Sequence, residues 1–441
     1  MKKEIAEFIK KYSLKNLEDL SATIEMYKDQ LNPELIYIAA DLLNPNKDST
    51  AAYYTDSIIC KEIFKELPDF ADKEHIQILE PSVGAGAFLP FIAEHFKSKQ
   101  IVEIWINDID QYELKLAKLI FDTYYKKKYP NVALQFFNDD YLKLEIKNKK
   151  FDLIIGNPPY QKLKPNDMNC VFYKMKSGIT KSTNLFVYFF NKALNDGDFV
   201  SFIIPKSILN APEYVEIRSI LNQYHITSII DFGEKGFDGV KIETVNIMVD
   251  TKSKPLQTKV KSLTQNIEIL QNQEYITDKI YPTWLIYRNQ KFDDFANTLS
   301  LGIFQSFRDR QITSKKCKQF GKYRVLRSRN IQTNKIKNIE NYDKYIDVID
   351  NLSVSKFLNK SNIICLPNLS YSPRACFLPK DCIADGSVAL LESKIEINEK
   401  DLEIFETKEF REYYHIARNY GTRSLNIDSN SVYYFGIRRK I

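Results

Sequence analysis

Histidine and cysteine are scarce in this chain, and long apolar runs are missing. Its 441 residues include four histidines and six cysteines. These numbers, with no short cysteine pairs, disfavour a metal centre or a disulfide scaffold and fit a reducing cytosol. No stretch approaches the ~18 apolar residues of a membrane-spanning helix, and the first ten residues lack the apolar segment of a secretory signal. We therefore expect a cytoplasmic protein with no metal and no membrane partner.

Charge is unevenly distributed along the chain. The first 250 residues carry 31 lysines and arginines against 36 acids, a net charge of −5, whereas residues 251–441 carry 32 against 21, a net charge of +11. A basic second half is typical of proteins that bind a polyanion. A solvated lysine-rich surface gives the same count, so charge alone leaves both interpretations open.

Short apolar runs alternate with amphipathic stretches between residues 76 and 250. Seven runs have the length of strands: Ile76–Leu79, Val102–Ile106, Leu134–Phe137, Phe151–Ile155, Phe199–Ile204, Ile226–Ile230 and Val245–Val249. Helix-like stretches between most of them predict a parallel sheet with crossover helices. Apolar residues at helical spacing predict helices within residues 1–45, one of them starting at Asn32-Pro33.

The alternation of apolar runs and amphipathic stretches ends at Lys252–Lys261, a segment that is polar, rich in lysine and contains Pro255. Beyond this segment, short strands and loops follow without a detectable repeat. The sequence therefore predicts a helical extension over residues 1–50, an α/β domain over 51–252 and a separate α+β domain over 253–441.

A glycine loop follows the first apolar run, in the sequence Glu80-Pro81-Ser82-Val83-Gly84-Ala85-Gly86. Gly84 and Gly86 allow a sharp turn and close approach of a ligand. Leu89 stands where the dinucleotide fingerprint has its third glycine, so the loop lacks a pyrophosphate signature. A tight turn without a ligand is the alternative.

Acidic residues follow the next two runs. Asp108 lies about 20 residues after the glycines, where an acid commonly accepts hydrogen bonds from ribose, whereas Asp110 fits a helix N-cap. Asp140 can accept from an adenine amino group while Tyr141 packs on the ring, although Asp139-Asp140 also fits a solvated turn. Ligands bind beyond the carboxyl ends of parallel strands, so these sites predict a nucleoside pocket. S-adenosylmethionine fits such a pocket better than NAD.

Asn157-Pro158-Pro159-Tyr160 directly follows the fourth run. Two prolines fix the backbone and remove two N–H donors. The Asn157 side chain and the Pro158 carbonyl can accept both hydrogens of a planar amino group, which turns its lone pair towards an electrophile, and Tyr160 can stack on a flat substrate. Such chemistry depends on positioning and needs no strong base or metal. A strand-terminating turn is the alternative.

In type and order these motifs resemble the gamma-class N6-adenine DNA methyltransferases of the TaqI type, found in restriction–modification systems. The resemblance implies a Rossmann-like, S-adenosylmethionine-dependent methyltransferase domain with a seven-stranded, mostly parallel sheet, followed by a target-recognition domain. It implies that the cofactor is bound by Tyr54, Thr55, Glu80, Ser82, Gly84, Gly86, Asp108, Asp140 and Tyr141. Asp56 replaces the family's proline after Tyr-Tyr-Thr.

The resemblance also implies how the target adenine is held. Asn157, Pro158 and Tyr160 would bind the base, and Tyr214 would stack on its other face, with helix packing as the alternative for Tyr214. A duplex hides the amine, so the base must be flipped out at a cost of a few kcal/mol. Stacking returns about 1–3 kcal/mol per base.

Basic residues are the candidates for DNA contact, with surface charge as the alternative. They are Lys206, Arg308, Arg310, Arg324, Arg327, Arg329, Arg374, Arg418 and Arg423. Cys365, Cys376 and Cys382 lack the spacing and the nearby histidine of a zinc site.

The sequence therefore predicts an adenine-specific DNA methyltransferase that uses S-adenosylmethionine and acts as a monomer on double-stranded DNA. We expect it to be the modification enzyme of a type II restriction–modification system, with a cognate endonuclease that acts on the same site. The alternatives are an RNA adenine or protein glutamine N-methyltransferase and a non-catalytic nucleic-acid-binding subunit. Intact glycine, acidic and Asn-Pro-Pro-Tyr motifs argue against a non-catalytic subunit.

Overall fold

A computed structural model describes residues 2–45, 55–146, 150–234, 242–369, 373–422 and 426–439. The chain divides into a first unit, Met1–Ile208 with Glu213–Glu274, and a second unit, Leu209–Pro212 with Tyr275–Ile441. Among the described residues, no helix combines the length and apolar character needed to cross a membrane.

One nine-stranded sheet forms the centre of the first unit. Its strands are β1 (His75–Glu80), β2 (Ile101–Asn107), β3 (Val132–Phe137), β4 (Phe151–Gly156), β5 (Gly197–Pro205), β6 (His225–Gly233), β7 (Thr244–Asp250), β8 (Gln257–Ser262) and β9 (Ile267–Asn272). Their order is β3-β2-β1-β4-β5-β7-β6-β8-β9. Strands β1 to β5 pair in parallel, whereas β7 runs antiparallel to both neighbours. All seven predicted strands are confirmed.

Helices flank this sheet. They are α1 (Lys2–Lys11), α2 (Leu17–Tyr27), α3 (Pro33–Leu43), α4 (Ser57–Glu66), α5 (Leu89–His95), α6 (Gln111–Tyr124), α7 (Met168–Ser177), α8 (Leu185–Asp196) and α9 (Val215–Leu221). Asn32 caps α3 and Pro33 is its first residue, which confirms the predicted start. The first three helices bury their apolar faces against Leu116 and Ile120 of α6, so they belong to the first unit.

The sheet continues beyond the predicted boundary at residue 252, and two strands were missed. Strand β8 pairs with β6, and β9 pairs with β8. Lys259 and Lys261 of β8 form ion pairs with Glu66 and Glu62 of α4. The first unit therefore ends at Glu274, and its sheet has nine strands rather than seven.

Small sheets and short helices make up the second unit, as the α+β prediction requires. Its sheets have the orders β10-β20, β11-β19-β16-β17, β15-β12-β18 and β13-β14. The strands are β10 (Leu299–Ser300), β11 (Phe304–Phe307), β12 (Tyr323–Leu326), β13 (Ile331–Gln332), β14 (Lys335–Ile336), β15 (Lys344–Ile346), β16 (Ile363–Pro367), β17 (Cys376–Phe377), β18 (Cys382–Ala384), β19 (Val388–Ser393) and β20 (Ile437–Arg438). The remaining helices are α10 (Gln273–Ile276), α11 (Gln290–Asn297), α12 (Glu399–Leu402) and α13 (Lys408–Ala417). Apolar side chains from β12, β16 and β19 share a core of their own.

Candidate active site

The loops that follow β1, β2, β3 and β4 line one cavity of ≈ 380 Å³ in the first unit. These strands are adjacent and parallel, so their carboxyl ends lie at the same edge of the sheet, where α/β proteins bind ligands. Helices α3, α6, α7 and α8 complete the wall with Asp41, Glu113, Tyr173 and Phe189 among others, and Asn44 follows α3. A cavity therefore lies where the sequence predicts the ligand pocket.

Asn107, at the end of β2, connects three of these loops and was missed in the sequence. Its buried Nδ2 donates to the carbonyl oxygens of Pro81 and Asp139, at 3.0 Å each. The main-chain carbonyl oxygen of Asn107 accepts from the Val83 N–H at 2.9 Å. One asparagine thus sets the spacing of the loops after β1 and β3, on which the shape of the cavity depends.

The glycine loop is held against Asp108. The Gly84 N–H donates to Asp108 Oδ2 at 2.9 Å, and Gly84 has a φ of +51°, a conformation that glycine adopts without strain. Gly86 also has a positive φ, of +86°, and serves close packing, since a Cβ there would lie 2.9 Å from Leu89 Cδ1 and 3.1 Å from Ala117 Cβ. Ser82 Oγ donates to the Asn157 carbonyl oxygen at 3.3 Å, linking this loop to the Asn-Pro-Pro corner.

The cavity is strongly acidic. Its lining includes one lysine, Lys143, and seven carboxyl groups: Asp41, Glu80, Asp108, Asp110, Glu113, Asp139 and Asp140. Burial, reinforced by the nearby Asp108, raises the pKa of Glu80 well above its usual range, and Glu80 Oε2 has no hydrogen-bond partner among the described residues. Burial also raises the pKa of Asp108. This lining favours a cationic ligand and disfavours a pyrophosphate.

Asp140 and Tyr141 follow β3 and face different parts of the site. Asp140 Oδ2 accepts from the Tyr173 hydroxyl at 2.5 Å and lies 3.5 Å from Lys143 Nζ. Tyr141 lines the cavity but is 1% exposed, and its hydroxyl donates to Asp196 at 2.8 Å. Burial raises the pKa of Tyr173, and the Asp140 contact raises it further, so this hydroxyl stays protonated as a donor.

The Asn-Pro-Pro corner reaches the same cavity, which Asn157 and Pro159 line. The Asn157 amide is held from both ends: Nδ2 donates to Thr55 Oγ1 at 3.3 Å, and Oδ1 accepts from the Tyr160 hydroxyl at 2.6 Å. Pro158 is buried beside it. The side chain of Asn157 is therefore oriented before any ligand binds.

Tyr160 and Tyr214 do not line this cavity. They are 6% and 2% exposed, and the ring of Phe186 packs against both, at 6.2 Å from Tyr160 and 5.1 Å from Tyr214. A base can stack on either tyrosine only after Phe186 or the tyrosine itself moves. Tyr54 and Arg423, two further candidates, lie outside the described residues.

Two of the predicted DNA-contacting residues are buried, which corrects those predictions. Lys206 is 3% exposed, and its ammonium lies 2.7 Å from Asp231 and 3.8 Å from Glu243. Arg418 is 2% exposed. Neither side chain reaches the surface, where DNA phosphates would be met.

The other arginines of the second unit differ in their partners. Arg324 is held by Asp343 and Asn338, and Arg374 by the carbonyl oxygens of Ile331 and Ser328. Both therefore support the local fold. The more accessible candidates are Arg308, Arg310, Arg327 and Arg329.

Comparison with known proteins identifies the family. The sequence model of the Eco57I restriction-modification methylases matches residues 10–237, just over half of the chain, a span that contains every residue lining the cavity. The chain belongs to this family. The predicted membership among restriction–modification methyltransferases is thereby confirmed.

Relatives of this Eco57I-family methylase include the modification methylase CviBIII of Paramecium bursaria Chlorella virus NC1A. The two are 29% identical over 193 residues, which cover 42% of this chain and 46% of the viral protein. The type II methyltransferase M.AccI of Acinetobacter calcoaceticus is 29% identical over 230 residues, covering 48% and 39% of the two chains. The chain spans about half the length of the curated relatives it matches.

A solved structure resembles most of this Eco57I-family chain. It is that of the type IIL restriction-modification enzyme MmeI in complex with DNA, with a TM-score of 0.59 and 12% identity, covering 92% of this chain and 71% of that one. Identity this low compares the fold alone. The predicted Rossmann-like methyltransferase fold is confirmed.

Proposed function

We propose that this Eco57I-family methylase transfers a methyl group from S-adenosylmethionine to the N6 amine of an adenine in double-stranded DNA. The observation that carries the proposal is the position of Asn157, at the wall of a cavity whose described lining includes seven carboxyl groups and one lysine. An oriented amine acceptor thus borders a pocket suited to a cation, with the Pro158 carbonyl next to it in the chain, as methylation of an amine requires. Membership of a restriction-modification methylase family supports DNA as the substrate.

The lining fits S-adenosylmethionine. The bound cofactor supplies an activated methyl group on a positively charged sulfur. Glu80 has a buried oxygen without a hydrogen-bond partner and suits the charged methionine end, together with Ser82 and Gly84 of the same loop. Asp108 can accept from ribose, and Asp140 with Tyr141 can hold the adenine. Thr55 completes the site through its contact with Asn157.

Asn157 and Pro158 act on the target amine by accepting its two hydrogens. Oδ1 of Asn157 has a second lone pair besides the one used by Tyr160, so it can accept from the substrate as well. Withdrawing both hydrogens to one side reduces conjugation of the nitrogen with the ring and directs its lone pair into the cavity. Because Thr55 and Tyr160 already orient the amide, little reorganisation is needed.

Stacking of the flipped adenine on Tyr160 and Tyr214 remains part of the proposal, with one structural condition. Phe186 must leave the space between the two rings, or the tyrosines must turn outward. Base–aromatic stacking, worth about 1–3 kcal/mol per base, favours such a local shift.

The alternative substrates are RNA adenine and a protein glutamine amide, both of which have an amine suited to the same corner. The net charge of +11 in residues 251–441 favours a polyanion over a protein. Family membership favours DNA over RNA. We propose the second unit as the target-recognition domain of a monomeric, cytoplasmic modification enzyme that has a cognate endonuclease.

Expression of the chain in a host free of DNA methylases, followed by modified-base sequencing of its genome, tests the substrate, the base and the site together. The proposal requires N6-methyladenine at one short recurring sequence. The purified protein should give the same product on duplex DNA with radiolabelled S-adenosylmethionine. Methyl label in RNA or protein and none in DNA would overturn the proposal.

Neutralising Arg327 and Arg329 together is expected to weaken binding to duplex DNA. Both guanidinium groups lie over the ring of Tyr342, at 4.5 and 4.9 Å, and Arg327 also lies 3.3 Å from Asp385. If both contact phosphates, the slope of log K against log salt concentration falls by about 2. Fluorescence anisotropy titrations of Arg327→Gln/Arg329→Gln at several salt concentrations measure this slope.

Lys400→Gln/Lys408→Gln is the matched control for the arginine pair. It removes the same charge from exposed positions of the second unit and should leave the slope unchanged. Identical slopes for both double variants and the wild type would remove Arg327 and Arg329 from the DNA footprint.

A further inference from the structure

Helix α7 presents an apolar stripe to solvent. The stripe consists of Met168, Val171, Phe172 and Met175. Their spacing of i, i+3, i+4 and i+7 puts them on one side of the helix. Met168 and Met175 are 87% and 81% exposed, whereas Cys170 and Tyr173 on the other side are buried. A surface helix usually turns such a stripe to the core, so this one marks an interaction surface.

The segment that carries α7 is basic. Residues 161–181 contain five lysines, at positions 162, 164, 174, 176 and 181, and one acid, Asp167, which caps the helix. This net charge of +4 stands out in a first half that carries −5 overall. A polyanion is the partner whose charge complements this segment.

The same segment is directly connected to the catalytic corner. The chain runs from Tyr160 through residues 161–167 into α7, and Tyr173 on the buried side of the helix donates to Asp140 in the cavity. The apolar stripe is therefore connected, by a short stretch of chain and by the Tyr173–Asp140 hydrogen bond, to the site that receives the target base.

We propose that α7 and the loop before it form a DNA-binding surface of the first unit. Lys164 and Lys176 contact phosphates, whereas Lys162 already lies 2.7 Å from Glu213, and the apolar stripe packs against the sugars and base edges beside the flipped adenine. Methionine and phenylalanine are among the residues that proteins place against unstacked base steps. This inference rests on the proposed function and adds the surface through which the catalytic unit engages the duplex.

Two variants test the surface, with a fluorescein-labelled duplex that carries the site found by sequencing. Met168→Gln/Met175→Gln should weaken binding at least about fivefold, the effect of losing one weak base contact, without a change in salt slope. Lys164→Gln/Lys176→Gln should lower the slope by about 2. Met26→Gln, at a methionine of α2 that is 73% exposed, is the matched control and should bind as the wild type does.

Calorimetric titration with S-adenosylhomocysteine checks that each variant keeps its cofactor cavity. If both α7 variants have the DNA affinity and the salt slope of the wild type, the inference is overturned. The apolar stripe would then be a surface for a protein partner. A wild-type chain that binds cofactor but no duplex would overturn the proposed function itself, so the two failures are distinguishable.

A separate observation concerns Glu113 of α6, which lines the cavity and is 5% exposed. Oε1 accepts from Asn44 Nδ2 at 2.5 Å, whereas Oε2 is buried without a hydrogen-bond partner among the described residues. A buried carboxyl oxygen left without a partner is costly, so a group that enters the cavity is expected to satisfy it.

The surroundings of Glu113 keep it neutral. Asp108 and Asp110 face it from the end of β2, and Asp41 and Tyr37 of α3 lie in the same wall. Lys143 is the single cation among the lining residues that the structure describes. Burial and the neighbouring carboxylates raise the pKa of Glu113 to about 8, so near neutral pH its carboxyl group carries a proton that it can donate.

We infer that protonated Glu113 binds the cofactor ribose, donating to one hydroxyl while Asp108 accepts from the other. Both Asp108 oxygens already accept backbone N–H groups, from Gly84 and Asp110, so Asp108 is suited to accept and Glu113 to donate. This inference also rests on the proposed function and adds a ribose-binding residue outside the recognised motifs.

The inference predicts that cofactor affinity falls at alkaline pH. The folded pKa is raised, so the donor is present below about pH 8 and is lost as the pH rises through that value. If only the protonated form binds, the Kd of S-adenosylhomocysteine rises about tenfold between pH 7 and pH 9. Isothermal titration calorimetry across this range measures the change.

Glu113→Gln is the decisive variant, because glutamine keeps a donor and does not ionise. The ratio of wild-type to variant Kd should rise with pH, and taking the ratio cancels the titration of the ligand's own amine. Asp41→Asn removes a neighbouring negative charge. The midpoint of the fall in cofactor affinity with pH should therefore lie at lower pH in this variant than in the wild type. Glu103→Gln, on β2 outside the cavity, is the control.

A wild-type to Glu113→Gln ratio that stays constant with pH would overturn this inference, as would an unmoved midpoint in Asp41→Asn. Absence of S-adenosylhomocysteine binding by the wild type at every pH would instead overturn the proposed function. Circular dichroism spectra establish that each variant is folded at the pH used.

Discussion

Replacing Asn157 with alanine is expected to lower the rate of methyl transfer by at least about 10²-fold, the loss typical of removing one preorganised polar contact in an active site. The variant loses an acceptor for the target amine, and the Tyr160 hydroxyl loses its contact at 2.6 Å but keeps the Ile203 carbonyl oxygen at 3.0 Å. Single-turnover assays measure the rate, with labelled S-adenosylmethionine and an unmethylated duplex that carries the recognition site.

Binding measurements separate loss of chemistry from loss of structure in Asn157→Ala. We expect the Kd values for S-adenosylhomocysteine and for duplex DNA to change by less than about fourfold, since neither ligand depends mainly on this amide. Asn195→Ala, at an exposed position of α8 outside the cavity, should have wild-type activity. Unimpaired turnover in Asn157→Ala would refute the assigned chemistry.

The central strands were predictable because burial on both faces makes each of them a continuous apolar run. Strand β8 escaped for the opposite reason. Its alternating lysines, Lys259 and Lys261, suggest a solvated linker when only neighbouring residues are considered. Their partners, Glu62 and Glu66, are one helical turn apart on α4, almost 200 positions earlier. Only the folded chain brings these charges together and makes the segment a strand.

The motif residues of the site were predictable, whereas its other wall was not. Glu80, Asp108 and Asn157 follow strands whose order the alternation predicts, so their convergence follows from the fold class. Glu113 lies on a helix and Asn44 directly follows one, and an isolated polar residue in or beside an amphipathic pattern gives no sign of a ligand. Their contact at 2.5 Å depends on how α3 packs on α6, which local sequence does not encode.

The basic residues were the least predictable part of the site, because a positive side chain suits a phosphate and an internal carboxylate equally well. Lys206 illustrates this ambiguity. It directly follows β5 at the end of an apolar run, a position that resembles an exposed strand end in sequence. The carboxylates that bury it, Asp231 and Glu243, come from elsewhere in the first unit.

Replacing Lys206 with methionine is therefore expected to destabilise the first unit. The substitution preserves much of the side-chain volume and leaves Asp231, which is fully buried, and Glu243 without their shared cation. Breaking a buried ion pair by removing one partner typically costs about 3–5 kcal/mol in the free energy of unfolding. Urea denaturation followed by circular dichroism measures the change.

A second substitution and a surface control identify the cause of the instability. Lys206→Met/Asp231→Asn removes one of the stranded charges and should recover part of the lost stability, because an amide is cheaper to bury than an unpaired carboxylate. Lys164→Met, at an exposed lysine, should change the unfolding free energy by less than about 0.5 kcal/mol. If Lys206 instead contacted phosphate, Lys206→Met would be as stable as the wild type and would bind DNA with a lower salt slope. Stability and salt dependence thus report on opposite assignments of the same lysine.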